Sequence, residues 1–351
     1  MVRRTTRKRT GSTSLPEFEL DAHSTPDSHL EQPESRGEIE EQQAQSPDDL
    51  ERKKSQINLP AHLTKHLPNL EYHFKRLDSS FSLQQSNTSG STGSSLWLSS
   101  QVLSSYLTSI YLPCLLRSSR CALPSSVEEE RPRAIELGSG TGLVSLLLAR
   151  LGFEVLATDV EPPLGTVLRP NVEQGRHSLE KATARGQSCG SIQVSHLDWC
   201  VEFESWHWDD HGPSTDSNQG GSDAERSKRE GADPKTPISK PKPYDLIFTA
   251  DTVYEARLIR PLFRSIKYLY ESSVIHTEGG KLKRPKLLIA LERRDSGMVD
   301  LALRVARDEF GFSLKQVTER RVRKAVDGFG DGKSWDREDW SGVEIWQGEL
   351  P

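Results

Sequence analysis

From Arg133 onward the chain alternates between short apolar runs and helical periodicity. Arg133–Leu137 is a brief β-run that ends in glycines, Leu143–Leu151 is helical, and Glu154–Asp159 (EVLATD) is a second strand. A helical stretch follows around Val167–Leu179, then a strand at Ile192–Leu197. Tyr244–Ala250 (YDLIFTA) reads as a buried strand, and Leu258, Leu262, Ile266 and Leu269 mark one helical face after it. Lys286–Leu291 is another strand, Met298, Leu301, Ala302 and Val305 mark the next helix, and Ser313–Thr318 and Val343–Trp346 close the series. Strands that alternate with helices predict an α/β fold, a Rossmann-like doubly wound sheet covered on both faces. The count is a seven-stranded, mostly parallel sheet. No helical pattern separates the last two strands, so one is expected to run antiparallel, as a closing hairpin with a long polar loop over Arg320–Trp340. Upstream, Leu103, Tyr106, Leu107, Ile110 and Tyr111 form an amphipathic helix that is expected to pack on the sheet and to end at Pro113.

Two stretches lack this patterning. Residues 1–55 are rich in Ser, Pro, Glu, Gln, Arg and Thr and nearly empty of large apolar side chains, so they are expected to be a disordered tail. Residues 56–351 then form the folded domain, interrupted by an expected disordered insertion at about 207–243. Composition agrees, because hydrophobic residues make up only 34% of the chain, less than a fully packed chain of 351 residues carries. A formal net charge of −5 argues against a dedicated nucleic-acid binder, so no direct nucleic-acid contact is expected. The longest apolar stretch, Leu143–Leu151, is broken by Ser145 and Arg150 and excludes a membrane-spanning helix, which needs ~20 residues.

The basic N-terminus MVRRTTRKRT is followed by no apolar core, so a secretory signal is not expected and the reading is cytoplasmic, nuclear or both. The cluster from Arg3 to Arg9 reads either as an import signal or as a solvated basic tail. Cys114, Cys121, Cys189 and Cys200 show no CxxC pairing, which points to a reducing compartment without disulfides or structural zinc. His207 and His211 flank Asp209 and Asp210 but have no further ligands near, and no metal site is expected. Nothing in the sequence demands more than a monomer.

The strongest chemical signal is AIELGSGTGLVSL, Ala134–Leu146. A strand ends in Glu136, Gly138, Gly140 and Gly142 alternate, with Ser139 between the first two, and a helix begins. Glycines there let the backbone turn sharply and approach a ligand closely. The acid two positions before the first glycine would repel a pyrophosphate and suits a ligand with a cationic amino group. S-adenosylmethionine carries one and has no phosphate. Asp159 closes the second strand 23 residues after Glu136, where a nucleoside-binding sheet puts the carboxylate for both ribose hydroxyls. A helix N-cap would explain the same acid. His196-Leu197-Asp198-Trp199 ends the third strand, where a carboxylate can accept the adenine amino group and an indole can stack, although Trp199 would also serve as core. Asp251 and Tyr254 sit three apart after the fourth strand, at the crevice edge of the sheet, or as an N-cap acid plus a packed aromatic. Glu292-Arg293-Arg294-Asp295 reads equally as a substrate rim and as a solvated charge run.

ELGSGTG, the LDW tripeptide and the DTVY tetrapeptide after FTA resemble the seven-β-strand S-adenosylmethionine-dependent methyltransferases, within family 16, the protein-lysine methyltransferases. The resemblance covers roughly Gly93 to the C-terminus, without the insertion. It implies that Asp251 and Tyr254 meet the family's [DE]xx[YF] motif, that Trp97 contacts the cofactor, and that Ala250 lines the cofactor site. It further implies S-adenosylmethionine as cofactor and methyl transfer to the lysine side chain of a protein. A small-molecule N-methyltransferase on the same fold stays as the alternative. Two features depart from the family: Cys200 stands where glycine usually follows LDW, and the loop after it is much longer.

Overall fold

The computed structural model describes residues 58–86, 92–120, 131–203, 206–209, 212–214, 241–277, 279–328 and 335–351. The expected tail at 1–55 lies outside them, as does most of the expected insertion. The chain divides into two units, Met1–Ser46, outside the described residues, and Pro47–Pro351, whose architecture follows.

The second unit opens with a one-turn helix α1 (Ala61–Thr64) and a hairpin of β1 (Asn69–Phe74) and β2 (Ser79–Gln84). This hairpin was not expected, yet its alternation is plain. Leu70, Tyr72, Phe74, Phe81 and Leu83 point inward and are buried. Helix α2 (Leu98–Arg120) follows and runs on through Pro113 instead of ending there. Proline costs a helix one hydrogen bond and a steric clash. Here Pro113 is on the exposed side, while Leu112 is buried and Tyr111 meets Phe153 edge-on at 4.9 Å between ring centroids before it, and Leu115 packs against the core after it, so packing on both sides of the proline holds the helix together.

The sheet is then laid down by β3 (Arg133–Leu137), α3 (Leu143–Arg150), β4 (Glu154–Asp159), α4 (Arg169–Ala184) and β5 (Ser191–His196). A short antiparallel hairpin, β6 (His207–Asp209) with β7 (Gly212–Ser214), stands at the start of the stretch that was expected to be disordered throughout. The chain returns with β8 (Leu246–Ala250) and α5 (Ala256–Ser272), then a minimal pair β9 (Ile275–His276) and β10 (Leu282–Lys283). β11 (Lys286–Glu292), α6 (Ser296–Asp308), β12 (Ser313–Gln316), α7 (Glu319–Asp327) and β13 (Val343–Glu349) complete it.

The seven strands lie in the order β12-β13-β11-β8-β3-β4-β5. Every pairing is parallel except those of β13, which runs antiparallel to both β11 and β12. The antiparallel closing pair is as expected, but the loop between its strands contains α7. That helix hides in a charged stretch, ERRVRKAVD, because only Val322, Ala325 and Val326 are buried. Alternate residues of each strand feed opposite layers. Leu246 and Phe248 join one apolar cluster with Leu103, Leu107 and Leu146, while Ile247 joins the other with Leu262, Phe263 and Ile266. At ~1.5–3 kcal/mol per buried large side chain, these two layers dominate the stabilisation. Among the described residues no helix is long and apolar enough to cross a membrane.

From β3 the chain winds one way to β4 and β5 and later the other way to β8 and β11. The crevice at the carboxyl ends of β3 and its two neighbours is where such a sheet takes a ligand.

Candidate active site

The loop after β3 turns on glycines with left-handed φ, +70° at Gly138 and +53° at Gly140. A Cβ on Gly140 would sit 3.0 Å from the Gly93 carbonyl oxygen, and one on Gly138 would meet Thr252 Cγ2 at 2.7 Å. Any side chain at either position would push the loop off its neighbours. The Ser139 N–H donates to the Thr158 carbonyl (2.9 Å), and the Ser139 hydroxyl accepts from the Thr158 N–H (3.0 Å). The loop is thereby fastened to β4 before any ligand arrives.

Asp159 completes that fastening. Its Oδ2 accepts the Gly140 N–H (2.7 Å) and its Oδ1 accepts the Val160 N–H (2.8 Å). Burial pushes its carboxyl up to about 6 despite these two bonds. The free lone pairs of the two oxygens remain for hydroxyl donors. Glu136 behaves differently from the expectation that it faces the ligand. Its side chain is buried beneath the loop, hydrogen-bonded to Ser145 on α3, and does not line the cavity. Burial pushes its carboxyl up to about 8, so it is mostly protonated near neutrality.

The cavity has a volume of about 620 Å³ including its mouth. Of the residues expected from the sequence, Trp97, Gly138, Ser139, Gly140, Asp159, Trp199, Ala250, Asp251 and Tyr254 line it together. Gly142, like Glu136, does not; it caps α3. Nor does Asp198, whose carboxylate accepts the Cys200 N–H (2.8 Å) and shapes the turn behind Trp199. Arg264 steadies that turn from α5 by donating to the Trp199 carbonyl (2.8 Å). The structure adds Thr92, Gly93, Ser95, Ser100, Thr141, Thr252 and Arg294 to the wall. The small residues of the 92–95 stretch carried no chemical signal in the sequence. Arg294 did, as half of an ambiguous charge run.

Asp251 sits one residue past β8 with φ +59°, a conformation that side chains other than glycine rarely adopt. Its N–H is held by the Ala290 carbonyl of β11 (2.9 Å), which fixes the strained turn. The Asp251 carboxyl is almost wholly buried and forms an ion pair with the half-exposed Arg294. Burial raises its affinity for a proton, and Arg294 opposes that shift. Tyr254 stands at the mouth, 46% exposed, where an incoming group would meet its ring. On the other side Trp97 donates its indole N–H to the Thr92 carbonyl (2.7 Å) and carries two cations on its ring, Arg294 at 4.4 Å and Lys65 at 3.3 Å from the centroid.

The cavity suits an adenosyl sulfonium group. A side-chain-free loop offers close backbone approach, and Asp159 offers paired acceptors. Trp199 lines the same cavity beside Gly138, with the edge of its ring 3.1 Å from where a Cβ on that glycine would stand. Among the described residues no cluster of His, Cys, Asp and Glu is arranged to hold a metal ion.

Comparison with known proteins agrees with this geometry. Residues 76–211 match the family model described as lysine methyltransferase. The chain is 28% identical over 152 residues to protein N-lysine methyltransferase METTL21A of zebrafish (Danio rerio), a match that covers 42% of this chain and 49% of that protein. It thus spans about half the length of the curated relative it matches. Solved structures with a similar fold include a methyltransferase from Pyrococcus furiosus (12% identity, TM-score 0.35, 86% of this chain and 97% of that one). Another is the S-adenosylmethionine-dependent methyltransferase of Agrobacterium tumefaciens (12% identity, TM-score 0.37, 81% of this chain and 71% of that one). At such values the fold rests on the strand order of the sheet itself. The resemblance carried by ELGSGTG, LDW and DTVY is borne out by the family match, and S-adenosylmethionine is the cofactor that goes with it.

Proposed function

We propose, on the premise that the chain belongs to the family 16 methyltransferases, that it transfers the methyl group of S-adenosylmethionine to the side chain of a lysine in a protein. The observation that carries this reading is the pairing of Asp251 with Arg294 against Trp97. A buried carboxylate and an aromatic face already hold a long cationic side chain at the mouth of the cavity. A substrate lysine has the same charge and the same reach.

The bound cofactor supplies a methyl group already activated by positive sulfur. The chain then has to position and desolvate. Gly138 and Gly140 cradle the methionine portion and Asp159 takes the ribose hydroxyls. Trp199 faces the adenine, with Asp198 setting its turn. Ala250 and Trp97 complete the wall. A lysine starts near pKa 10.4 and has to present a neutral nitrogen. Asp251 orients that nitrogen by hydrogen bonding, while Tyr254 and Trp97 flank the stem and favour the cation that forms on transfer. Arg294 yields Asp251 to the substrate by swinging out over its exposed side.

The test is incubation of cell extract with isotopically labelled S-adenosylmethionine, followed by separation of protein from small solutes. Label in lysines of a protein, lost with Asp251→Ala while cofactor binding persists, supports the reading. Label confined to small amines would establish the small-molecule alternative, and transfer undiminished in the variant would remove Asp251 from the site.

A further inference from the structure

We propose that Lys65 is itself a substrate of this site, methylated within its own chain. The inference rests on the proposed lysine methyl transfer and goes beyond it by naming an acceptor.

The placement of Lys65 is built by buried hydrogen bonds. Gln101 of α2 accepts the Ala61 N–H (2.8 Å) and donates to the Leu59 carbonyl (2.8 Å), so the N-terminal end of α1 is pinned to the helix that follows Trp97. Gln85 donates to the carbonyls of Thr64 and Leu67 and accepts the Leu96 N–H (3.2 Å). One amide side chain thus joins the turn that carries Lys65 to the segment before α2 that carries Trp97. The Lys65 ammonium lies over the Trp97 ring, 3.3 Å from its centroid, and donates to the Leu96 carbonyl (2.6 Å). Trp97 lines the cavity together with Asp251 and Arg294.

The charged groups that act on the Lys65 amine are Asp251 and Arg294, which belong to the proposed acceptor site, and Glu292 at the end of β11. Burial, the largest influence, lowers its affinity for a proton to about 8, against an ordinary 10.5. Near neutral pH a larger share of this amine is therefore neutral than of a free lysine. A neutral amine held on an aromatic face that lines the cavity is the state the transfer requires. In the step, the nitrogen lone pair forms a bond to the methyl carbon as the carbon–sulfur bond breaks. Its electrons stay on sulfur, which leaves as the neutral thioether of S-adenosylhomocysteine. The methylated ammonium then releases one proton to solvent.

The purified full chain, incubated with deuteromethyl-labelled S-adenosylmethionine and digested, should show label on the peptide that carries Lys65. The rate per molecule should not change with protein concentration, and Lys65→Arg should remove the label from the chain. The same preparation is assayed in parallel for cofactor binding and for transfer to extract proteins. Label on extract proteins with none on Lys65 overturns this inference and leaves the proposed function standing. Label on other lysines of the chain, or a rate that rises with concentration, overturns the intramolecular assignment. Failure to bind the cofactor, with no label anywhere, overturns both.

Discussion

Replacing Glu136 with glutamine keeps the shape of the side chain and removes its titration. Glu136 is 1% exposed, and burial moves its carboxyl from 4.5 up to about 8. An acid raised in this way holds its proton more tightly in the folded chain than in the unfolded one. Its stabilising contribution is therefore complete below pH 4.5 and is lost as pH rises through about 8. With these two values, the folded state loses about 2 kcal/mol of stability between pH 6 and pH 8, at no more than ~1.4 kcal/mol per pH unit. Urea unfolding of the wild type and Glu136→Gln, each from pH 6 to pH 9 without cofactor, reads this directly. The difference between the two curves should fall by that amount and then level off. Asp159 titrates in both proteins and cancels to first order. A difference curve flat across the range would refute the view that a protonated carboxyl lies beneath the glycine loop. The same chemistry bears on binding. A cofactor of net positive charge favours the ionised form of Glu136, so its affinity should tighten with pH in the wild type and much less in the variant.

Asp159→Asn retains one oxygen and discards the charge. With ~1.5–3 kcal/mol for a charge-assisted hydrogen bond, cofactor affinity measured by calorimetry should weaken about 10- to 100-fold; a change below twofold would deny Asp159 the ribose. Gly140→Ala puts a Cβ 3.0 Å from the Gly93 carbonyl oxygen at φ +53°. The left-handed strain alone is ~1–2 kcal/mol, so the thermal midpoint should drop by several degrees, and an unchanged midpoint would mean that the loop is not held as described. Arg294→Gln leaves the buried Asp251 without its cation, and because that cation is half-exposed and screened by solvent the fold should lose only about 1–3 kcal/mol. The Asp251 carboxyl then rises further, so it ionises only at higher pH. The acid limb of the pH–rate profile should move upward, and a downward movement would contradict the ion pair's role.

How much of this was legible beforehand follows from the range of the forces involved. The strands and the glycine loop declare themselves locally: the VLA of β4 and the LIF of β8 are unbroken apolar stretches because those strands are buried on both faces, and a loop that turns at φ +70° and +53° needs glycine in the sequence itself. The acids at 159 and 251 are legible for a similar reason, since each stands at the end of a strand whose direction is fixed by the alternation. Two elements escaped the pattern, each for its own reason. The alternation of β1 and β2 was overlooked because it stands outside the repeating strand–helix pattern, and α7 was missed because a stripe of three buried residues in a charged stretch carries little periodic signal. Pro113 was read as a stop because local propensity opposes it there, and tertiary packing overrode that preference.

The site shows a further limit. Sequence spacing says which residues reach the same edge of a sheet, but not which way an acid points when it arrives. Glu136 and Asp159 close adjacent parallel strands, yet one carboxyl turns down to Ser145 and the other bonds the loop at Gly140. The difference lies in what fills the space beside each strand end, a property of α3 and of the loop together. The same holds for the two cations over Trp97. Arg294 follows β11 and Lys65 follows α1, far apart in the chain, and only the closed sheet and the buried amides of Gln85 and Gln101 bring them to one ring. On the proposed reading, an acceptor from another protein reaches Asp251 only by displacing Arg294. Such an acceptor must therefore bring more than a bare amine: a surface that contacts the rim around Tyr254 and offsets the loss of the Arg294–Asp251 pair.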